Sequence, residues 1–192
     1  MLNLKDLDES GEKLGEGSFG EVRRGTYCGL PVAIKILKNQ DTMDAFIAEI
    51  TNLSGLHHPN LVSMIAYDKK RIVLEMFDSS AEKIEDYIDV VTVARDCMRG
   101  LYYMHMHGDC IKHGDIKPEN ILVKRDIYGR IKQAALGDMG LARSCSAPGF
   151  TGTIGYMPLI HHQVDRMHDI VALAVSVMQA STKLYVHLST KE

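Results

Sequence analysis

The segment His113–Asn120, HGDIKPEN, carries an aspartate, a lysine and an asparagine at fixed spacing, with a glycine between the histidine and the aspartate. Such a cluster of polar groups either performs chemistry or is the remnant of a site that once did. The sequence on both sides of the segment bears on this question, because glycine-rich and charged stretches stand at characteristic distances from it.

The length and composition predict a folded globular protein. A chain of 192 residues forms one compact unit, or two small lobes that share one core. Hydrophobic residues make up 45% of the chain and charged residues 24%, which is ordinary for a globular protein and wrong for a disordered one. The formal net charge of -3 leaves no basic surplus to neutralise phosphates, so general nucleic-acid binding is not expected.

The apolar stretches and the cysteines predict an intracellular protein without a membrane anchor. The N-terminus lacks the apolar core of a signal peptide, and the most apolar stretch, Ile170–Met178, is too short to span a bilayer. The four cysteines are Cys28, Cys97, Cys110 and Cys145. They form no C-x-x-C pair and lie far apart, which predicts free thiols rather than disulfides or a zinc site. A cytoplasmic location is expected, with the nucleus as an alternative.

The first part of the chain predicts several strands and one helix. Residues 11 to 39 contain strand-like runs separated by turn residues. The segment DTMDAFIAEITNLSGL then changes to helical spacing and predicts an amphipathic helix that ends before Pro59. Its apolar positions are Phe46, Ile47, Ile50, Leu53 and Leu56. The runs LVSMIAY and RIVLEMF predict two more strands.

From about residue 81 the pattern becomes mainly helical. The segment TVARDCMRGLYYMHMHG predicts a helix with one apolar stripe, which ends at Gly108. The stripe consists of Val93, Cys97, Leu101 and Met104. Short strands are predicted at ILVK and AALGD, a long loop over residues 144–155, and a last helix from near Asp169. The chain therefore predicts a strand-rich N-lobe with one helix, followed by a helix-rich C-lobe.

A glycine-rich stretch near the N-terminus, GEGSFGEV, has the pattern G-x-G-x-x-G-x-V, formed by Gly15, Gly17, Gly20 and Val22. This pattern also opens dinucleotide-binding βαβ units, where a helix follows the glycines. Strands are predicted on both sides here, which favours a glycine-rich hairpin. Its glycines would let backbone N–H groups approach phosphate oxygens without a Cβ in the way.

Lys35, in the strand VAIK, and Glu49, fourteen residues later on the predicted helix, form a candidate ion pair. A buried ammonium needs a partner, and such a pair would hold the amine where it can meet phosphate oxygens. Each residue alone could be a solvated surface charge. Their order after the glycine-rich hairpin favours the pair.

Together these motifs resemble those of a eukaryotic-type protein kinase, from about Leu14 to Ala180. The resemblance implies an α+β, two-lobed kinase fold whose C-lobe lacks the last helices. It implies one domain over residues 1–192, with an N-lobe over about 1–76 and a C-lobe over 77–192. The implied activity is transfer of phosphate from ATP to a protein substrate, with Mg²⁺ as cofactor.

The resemblance assigns catalytic roles to four polar residues of the C-lobe. Asp115 would orient the substrate hydroxyl and accept its proton, and Lys117 would neutralise charge on the phosphoryl group. Asn120 and Asp138, the latter from the segment DMG, would bind Mg²⁺. The lysine in D-x-K-P-x-N and Thr153 in GTIGYM resemble serine/threonine kinases, while GTYCGLPVAIKIL resembles the tyrosine-kinase-like group.

The nucleotide would lie between the lobes. Lys35 would hold the α- and β-phosphates, and Glu49 would hold Lys35. The glycine-rich hairpin would cover the phosphates. The other residues implied in ATP binding are Leu14, Gly15, Gly17, Gly20, Val22, Ala33, Leu74, Glu75, Phe77 and Leu122. Among them, Val22, Ala33 and Leu122 would sandwich the adenine. Leu74 would close the back of the pocket, and the backbone of Glu75 and Phe77 would meet the adenine edge.

The sequence departs from the kinase pattern at three places. Gly114 replaces the arginine of H-R-D, which predicts activity that does not depend on a phosphorylated activation loop. Met139 replaces the phenylalanine of D-F-G and is expected to keep its packing role. The segment Pro158–Ile160 stands where the family has A-P-E.

Asp169 matches the family aspartate that braces the catalytic loop, and the helix that follows it is apolar nearly all round. We expect a second copy or a partner protein to cover this helix. Two functions remain open at this point. The polar set required for catalysis is complete, which favours an active kinase, whereas the changed A-P-E segment favours a pseudokinase-like binding module.

Overall fold

The computed structural model describes residues 4–17, 20–38, 43–82, 84, 86–108, 110–147, 152–156 and 166–182. The strands are β1 (Leu7–Asp8), β2 (Lys13–Gly17), β3 (Gly20–Tyr27), β4 (Leu30–Leu37), β5 (Met64–Tyr67), β6 (Arg71–Glu75), β7 (Ser79–Ser80), β8 (Ile111–Lys112), β9 (Ile121–Arg125), β10 (Ile131–Leu136) and β11 (Arg143–Ser144). The α-helices of this part are α1 (Met43–Gly55), α2 (Tyr87–Met106) and α3 (Arg166–Thr182). The predicted segment Pro158–Ile160 lies outside the described residues.

The N-lobe is an antiparallel sheet with α1 beside it. Its strands lie in the order β1, β3, β4, β6, β5, and β2 also pairs with β3. Directly paired residues share a face of the sheet, as do residues two apart along a strand. The register Val22↔Lys35 and Ala33↔Leu74 therefore puts these four residues on one face. The opposite face carries a separate apolar cluster of Val32, Ile34, Ala66 and Val73.

Helix α1 is amphipathic as predicted, but its buried face is rotated from the predicted one. Phe46, Glu49 and Leu53 are its buried residues, whereas Ile47 is 53% exposed. The expectation that Ile47 faces the core is wrong. The physical reason is that Glu49 turns inward to meet Lys35, and this fixes the rotation of the helix about its axis. The helix ends at Gly55, before Pro59 as predicted.

Helix α2 forms the centre of the C-lobe. Asp86 caps its N-terminus by accepting a hydrogen bond from the backbone N–H of Ile88 at 2.7 Å. The predicted stripe is confirmed, because its four members have no exposed surface: Val93, Cys97, Leu101 and Met104. These side chains join residues of α1, the β9–β10 hairpin and α3 in one cluster that extends through both lobes.

Helix α3 is buried on one side, where it packs against α2 and against the segment from Ile116 to Asn120. Leu173, Ser176 and Ala180 are buried on that face, while Met167 and Met178 on the other side are 58% and 65% exposed. The helix begins at Arg166, three residues before the predicted start near Asp169. Together, the strand-rich N-lobe with one helix and the C-lobe with α2 and α3 confirm the α+β, two-lobed fold among the described residues.

The cysteine prediction is wrong for two of the four residues. Cys110 and Cys145 form a disulfide with a Cα–Cα distance of 5.5 Å, while Cys28 and Cys97 are free. The two bonded residues extend the short β8–β11 ladder, and the N–H of Cys145 donates to the carbonyl of Cys110 at 2.7 Å. Their separation of 35 residues hides this pairing in the sequence.

None of the helices in the described ranges combines the length and apolar character needed to cross a membrane.

Candidate active site

Lys35, Glu49 and Asp138 form a buried triad between the lobes. The Nζ of Lys35 donates to the two carboxylate oxygens of Glu49 at 2.8 and 2.7 Å, and to Oδ1 of Asp138 at 2.9 Å. Strand β4 carries the lysine, α1 carries the glutamate, and the turn after β10 carries the aspartate. The structure therefore brings together residues that lie 14 and 103 positions apart in the sequence.

The charges of this triad are strongly coupled. Burial opposes the charged form of Lys35, but the carboxylates of Glu49 and Asp138 outweigh burial and raise its pKa. Burial likewise opposes ionisation of Asp138, but the Lys35 ammonium outweighs it and lowers the pKa of Asp138. Burial raises the pKa of Glu49, and the charge of Asp138 adds to this effect, although the Lys35 ammonium opposes it. One ammonium faces two carboxylates, so the fully ionised triad has one net negative charge.

A second network surrounds Asp115 in the catalytic loop. Thr153 donates its hydroxyl to Oδ1 of Asp115 at 2.6 Å, and Lys117 lies 3.1 Å from Oδ2. The Nζ of Lys117 also donates to the Thr153 hydroxyl at 3.1 Å, and the side-chain amide of Asn120 donates to Oδ2 of Asp115 at 3.1 Å. The structure brings the aspartate, lysine and asparagine of HGDIKPEN together with the threonine from GTIGYM.

Asp169 holds the backbone that precedes Asp115. Its carboxylate accepts the N–H of His113 at 2.8 Å, the N–H of Gly114 at 2.9 Å and Nε2 of His105 at 2.8 Å. Burial opposes ionisation of Asp169, but the hydrogen bond from His105 and those from the backbone outweigh it, and its pKa is lowered. The predicted bracing of the catalytic loop is confirmed by these contacts.

The turn that carries Asp138 is held by the core and by α1. Asp138 has a φ of 59°, in the left-handed region, and the following Met139 is fully buried in the core that contains Leu53. The side chain of Asn52 on α1 donates to the carbonyls of Met139 and Ala142 at 3.0 and 2.8 Å. The methionine therefore packs where the sequence predicted, and α1 is bonded to this turn.

A family model for the protein kinase domain matches residues 9–191. The chain belongs to the protein kinase family. Its similarity extends to plant receptor-like kinases. The leaf rust 10 disease-resistance locus receptor-like protein kinase-like 2.5 of Arabidopsis thaliana is 33% identical over 197 residues, which cover 87% of this chain and 28% of that protein. LysM domain receptor-like kinase 10 of Oryza sativa subsp. japonica is 31% identical over 196 residues, which cover 94% of this chain and 31% of that protein.

A further relative from Arabidopsis thaliana is named as a leucine-rich repeat receptor-like serine/threonine-protein kinase. It is 30% identical over 199 residues, which cover 88% of this chain and 22% of that protein. The chain thus spans between 22% and 31% of the length of these relatives.

The residues present fit the magnesium ion that protein kinases use. Mg²⁺ is bound through one or two protein carboxylates or amides, and phosphate oxygens supply further ligands. The N–H of Gly137 donates to the carbonyl of Asn120 at 2.8 Å, which sets Asn120 beside the turn of Asp138. Among the described residues, no three histidine, cysteine, aspartate or glutamate side chains form a self-contained metal site. The net negative charge of the triad likewise suits a divalent cation.

The residues predicted to contact adenine lie on the shared face of the N-lobe sheet and on β9. Val22, Ala33 and Leu74 lie on the face that carries Lys35. Leu74 and Leu122 both pack on a cluster of Val62, Phe77 and Ala135. The N–H of Glu75 donates to the carbonyl of Ser63 at 2.9 Å, so an adenine contact at this residue would use its carbonyl oxygen. These contacts place the connection between the lobes directly beside Leu122.

The glycine-rich hairpin runs from β2 to β3, with Gly15↔Val22 and Gly17↔Gly20 paired. Residues 18 and 19 at its tip lie outside the described residues. A Cβ at Gly20 would lie 2.1 Å from the carbonyl oxygen of Ile36, so only glycine fits there. Leu14, at the base of the hairpin, is 42% exposed.

No motif in the sequence indicates a role for Lys124. This residue on β9 forms an ion pair with Glu75, and its Nζ lies 4.8 Å from the centre of the Phe77 ring. Both contacts join the C-lobe hairpin to the connection between the lobes. A lysine within a strand is ordinary, and only the three-dimensional fold shows what it contacts. Asn52, by contrast, lies three residues after Glu49, so helical periodicity could have placed it near the site.

Proposed function

We propose that this chain is an ATP-dependent protein kinase that transfers the γ-phosphate to a serine or threonine of a protein substrate. The observation that carries the proposal is the triad, in which Lys35 lies within 2.9 Å of both Glu49 and Asp138. Burying three charged groups costs desolvation free energy, so a role in stability alone is a weak explanation for this cluster. The arrangement is explained if the ammonium and Asp138 bind a charged phosphate–metal group.

In this proposal the two lobes hold ATP between them. Lys35 binds the α- and β-phosphates, and Glu49 keeps its amine in place. The apolar face of Val22 and Ala33 packs on the adenine from the N-lobe, and Leu122 packs on it from the C-lobe. Asn120 and Asp138 hold Mg²⁺, which neutralises charge on the phosphate oxygens when bound. Preformed contacts of this kind reduce the reorganisation that phosphoryl transfer requires.

Asp115 accepts the proton of the substrate hydroxyl, and Lys117 neutralises charge on the phosphoryl group. The hydroxyl of Thr153 and the amide of Asn120 already donate to the Asp115 carboxylate, which fixes its orientation. Specificity for serine and threonine is supported by Lys117 and Thr153 and by the relative named as a serine/threonine kinase. Loss of a positioned proton acceptor lowers rates by about 10²–10⁴-fold.

We further propose that turnover does not require a phosphorylated activation loop. Gly114 has a φ of 80°, in the left-handed region that glycine adopts without strain, and it offers no cation to a phosphate. Phosphatase treatment of the purified protein should leave the transfer rate within about twofold of the untreated rate. Complete loss of transfer would contradict this part of the proposal.

The residues assigned here belong, in our proposal, to one kinase domain over residues 1–192, with lobes that meet near residues 76 and 77. We place it on the cytoplasmic side of the cell, where ATP and Mg²⁺ are abundant. Its partners are then a protein substrate and a second copy or partner protein on the outer face of α3, where Met167 and Met178 are exposed. A sedimentation experiment that shows only monomer at high concentration would contradict self-association.

The test is transfer of radiolabelled phosphate from ATP by the wild type, Asp115→Asn and Lys35→Met. The wild type should label itself or a generic protein substrate, and both variants should fall by at least about 100-fold. Equal incorporation of phosphate by all three proteins would refute the proposed kinase activity. A wild type that is stabilised by Mg-ATP in a melting experiment but transfers nothing would instead indicate the binding module.

A further inference from the structure

Cys110 and Cys145 are placed for a disulfide by the backbone alone. The ladder of β8 and β11 pairs Arg143 with Lys112 and Ser144 with Ile111, so the next rung pairs the two cysteines. Their Cα atoms are 5.5 Å apart, inside the range of about 4.4–6.8 Å that a disulfide spans. The bond can therefore form or break without a large movement of the backbone.

The other two cysteines differ from this pair in their surroundings. Cys28 is exposed on the turn between β3 and β4, and Cys97 is fully buried. Burial, followed by the nearby charge of Asp96, raises the pKa of the Cys97 thiol, which makes it unreactive. Cys110 and Cys145 are both partly exposed, so a small reagent can reach them.

The pair lies beside two cations. Lys112 and Arg143 are directly paired in the ladder, and each lies two residues from one of the cysteines along the chain. The direct pairing brings the two cations close together, and burial and then the charge of Arg143 lower the pKa of Lys112. Neighbouring positive charge favours the thiolate, the form of cysteine that reacts with oxidants and disulfides.

The disulfide encloses the polar residues of the C-lobe site. The covalent loop from Cys110 to Cys145 contains Asp115, Asn120 and Asp138. The bond connects the segment that enters the catalytic loop to the segment that leaves the turn of Asp138. Without it, the contacts that join these segments include the short ladder of Arg143↔Lys112 and Ser144↔Ile111, the hydrogen bond between the cysteines and the one from Nζ of Lys112 to the carbonyl of Ala147.

We propose that Cys110 and Cys145 are a reversible oxidation site that holds the start of the activation loop against the catalytic loop. In the oxidising step, one thiolate attacks a hydroperoxide and becomes a sulfenic acid, while the hydroperoxide leaves as alcohol or water. The second thiol attacks the sulfenic sulfur, forms the S–S bond and releases water. A small dithiol reverses the reaction: its two thiols become a disulfide, and both cysteines regain a proton.

The reduced state opens more often at this ladder. Short ladders exchange their amide hydrogens through local opening, and a covalent bond beside them suppresses that opening. The amides of residues 143–147 and of residues 110–112 should therefore exchange faster after reduction, while amides in the middle of α2 should not change. The site is defined by this geometry and does not rest on the proposed function.

The experiment compares four forms of the chain: wild type, Cys110→Ser, Cys145→Ser and, as a matched control, Cys28→Ser. Each form is treated with hydrogen peroxide or dithiothreitol and analysed by mass spectrometry of unreduced peptides and by hydrogen exchange. Wild type and Cys28→Ser should yield the peptide linking residues 110 and 145 after peroxide, and reduction should speed exchange of residues 143–147 by about tenfold or more. In Cys110→Ser and Cys145→Ser, the amides of residues 143–147 should exchange at the same fast rate after peroxide and after dithiothreitol.

Wild type that is reduced and then blocked with N-ethylmaleimide provides a second route if a serine variant folds poorly. Blocked protein should keep the fast exchange after peroxide. The proposal is overturned if peroxide gives no linked peptide, or if the linked and reduced forms exchange at the same rate.

Discussion

Replacing Asp169 with asparagine should destabilise the chain by about 2 to 4 kcal/mol. Oδ2 of this buried carboxylate accepts the N–H of His113 and Nε2 of His105, and Oδ1 accepts the N–H of Gly114. An asparagine has one acceptor oxygen, so at least one buried donor would face an NH₂ group. Leaving a buried donor unsatisfied costs about 1–3 kcal/mol, and the remaining bonds lose the extra strength that the charge provides.

The loss should depend on pH in a defined direction. The partners lower the pKa of Asp169 in the folded state below the ordinary aspartate value of 3.8. The carboxylate therefore contributes its full stabilisation above pH 3.8, and this contribution disappears as the pH falls through the lower folded value. The difference between wild type and variant should be constant from pH 7 to about pH 5 and shrink below pH 4.

Urea unfolding followed by far-ultraviolet circular dichroism measures this difference at each pH. The exposed Asp6 provides the matched control, because Asp6→Asn should change the free energy of unfolding by no more than about 0.5 kcal/mol. A loss below about 1 kcal/mol for Asp169→Asn at pH 7 would refute the reasoning. So would a difference that stays the same at pH 3.5.

Two further substitutions test the packing and the connection between the lobes. Gly100→Ala should destabilise the chain by about 1–3 kcal/mol in thermal melting, because its Cβ would lie 2.6 Å from the carbonyl oxygen of Asn60, while Gly55→Ala meets nothing within 4 Å and should be neutral or stabilising. Equal melting points for the two variants would contradict this. Lys124→Met removes the ion pair with Glu75 and should raise the KM for ATP a few-fold, whereas Lys124→Arg should retain wild-type behaviour. A KM unchanged in the methionine variant would exclude a positioning role.

Helical periodicity predicted the core stripe of α2 but not the rotation of α1. In α2 the four stripe residues are all apolar, so hydrophobic spacing alone identifies the buried face. In α1 the centre of the buried face is Glu49, which a hydrophobic pattern treats as a surface residue. The apolar pattern therefore includes Ile47, although this residue is exposed. The motif order did predict the pairing of Glu49 with Lys35, and this pairing determines which face of α1 is buried.

The distribution of site residues along the chain explains what else could be predicted. Asp115, Lys117 and Asn120 lie within six positions, so local backbone geometry brings them together. The cysteine pair depends instead on two strands of two residues each. Strands this short have no hydrophobic pattern from which they could be predicted. The contacts of Lys124 arise because β9 lies close to the connection between the lobes. The packing of Phe77 and Leu122 sets this approach.

We propose above all that Asp138 and Asn120 hold the divalent ion of a nucleotide that Lys35 binds. Calorimetric titration of ATP, in Mg²⁺ and again in EDTA, measures this directly for wild type, Asp138→Asn and, as a control, the turn variant Asp126→Asn. Wild type and the control should bind ATP about 10- to 100-fold more tightly with Mg²⁺, and Asp138→Asn should lose most of that gain. A magnesium effect of the same size in Asp138→Asn and in the wild type would contradict the account.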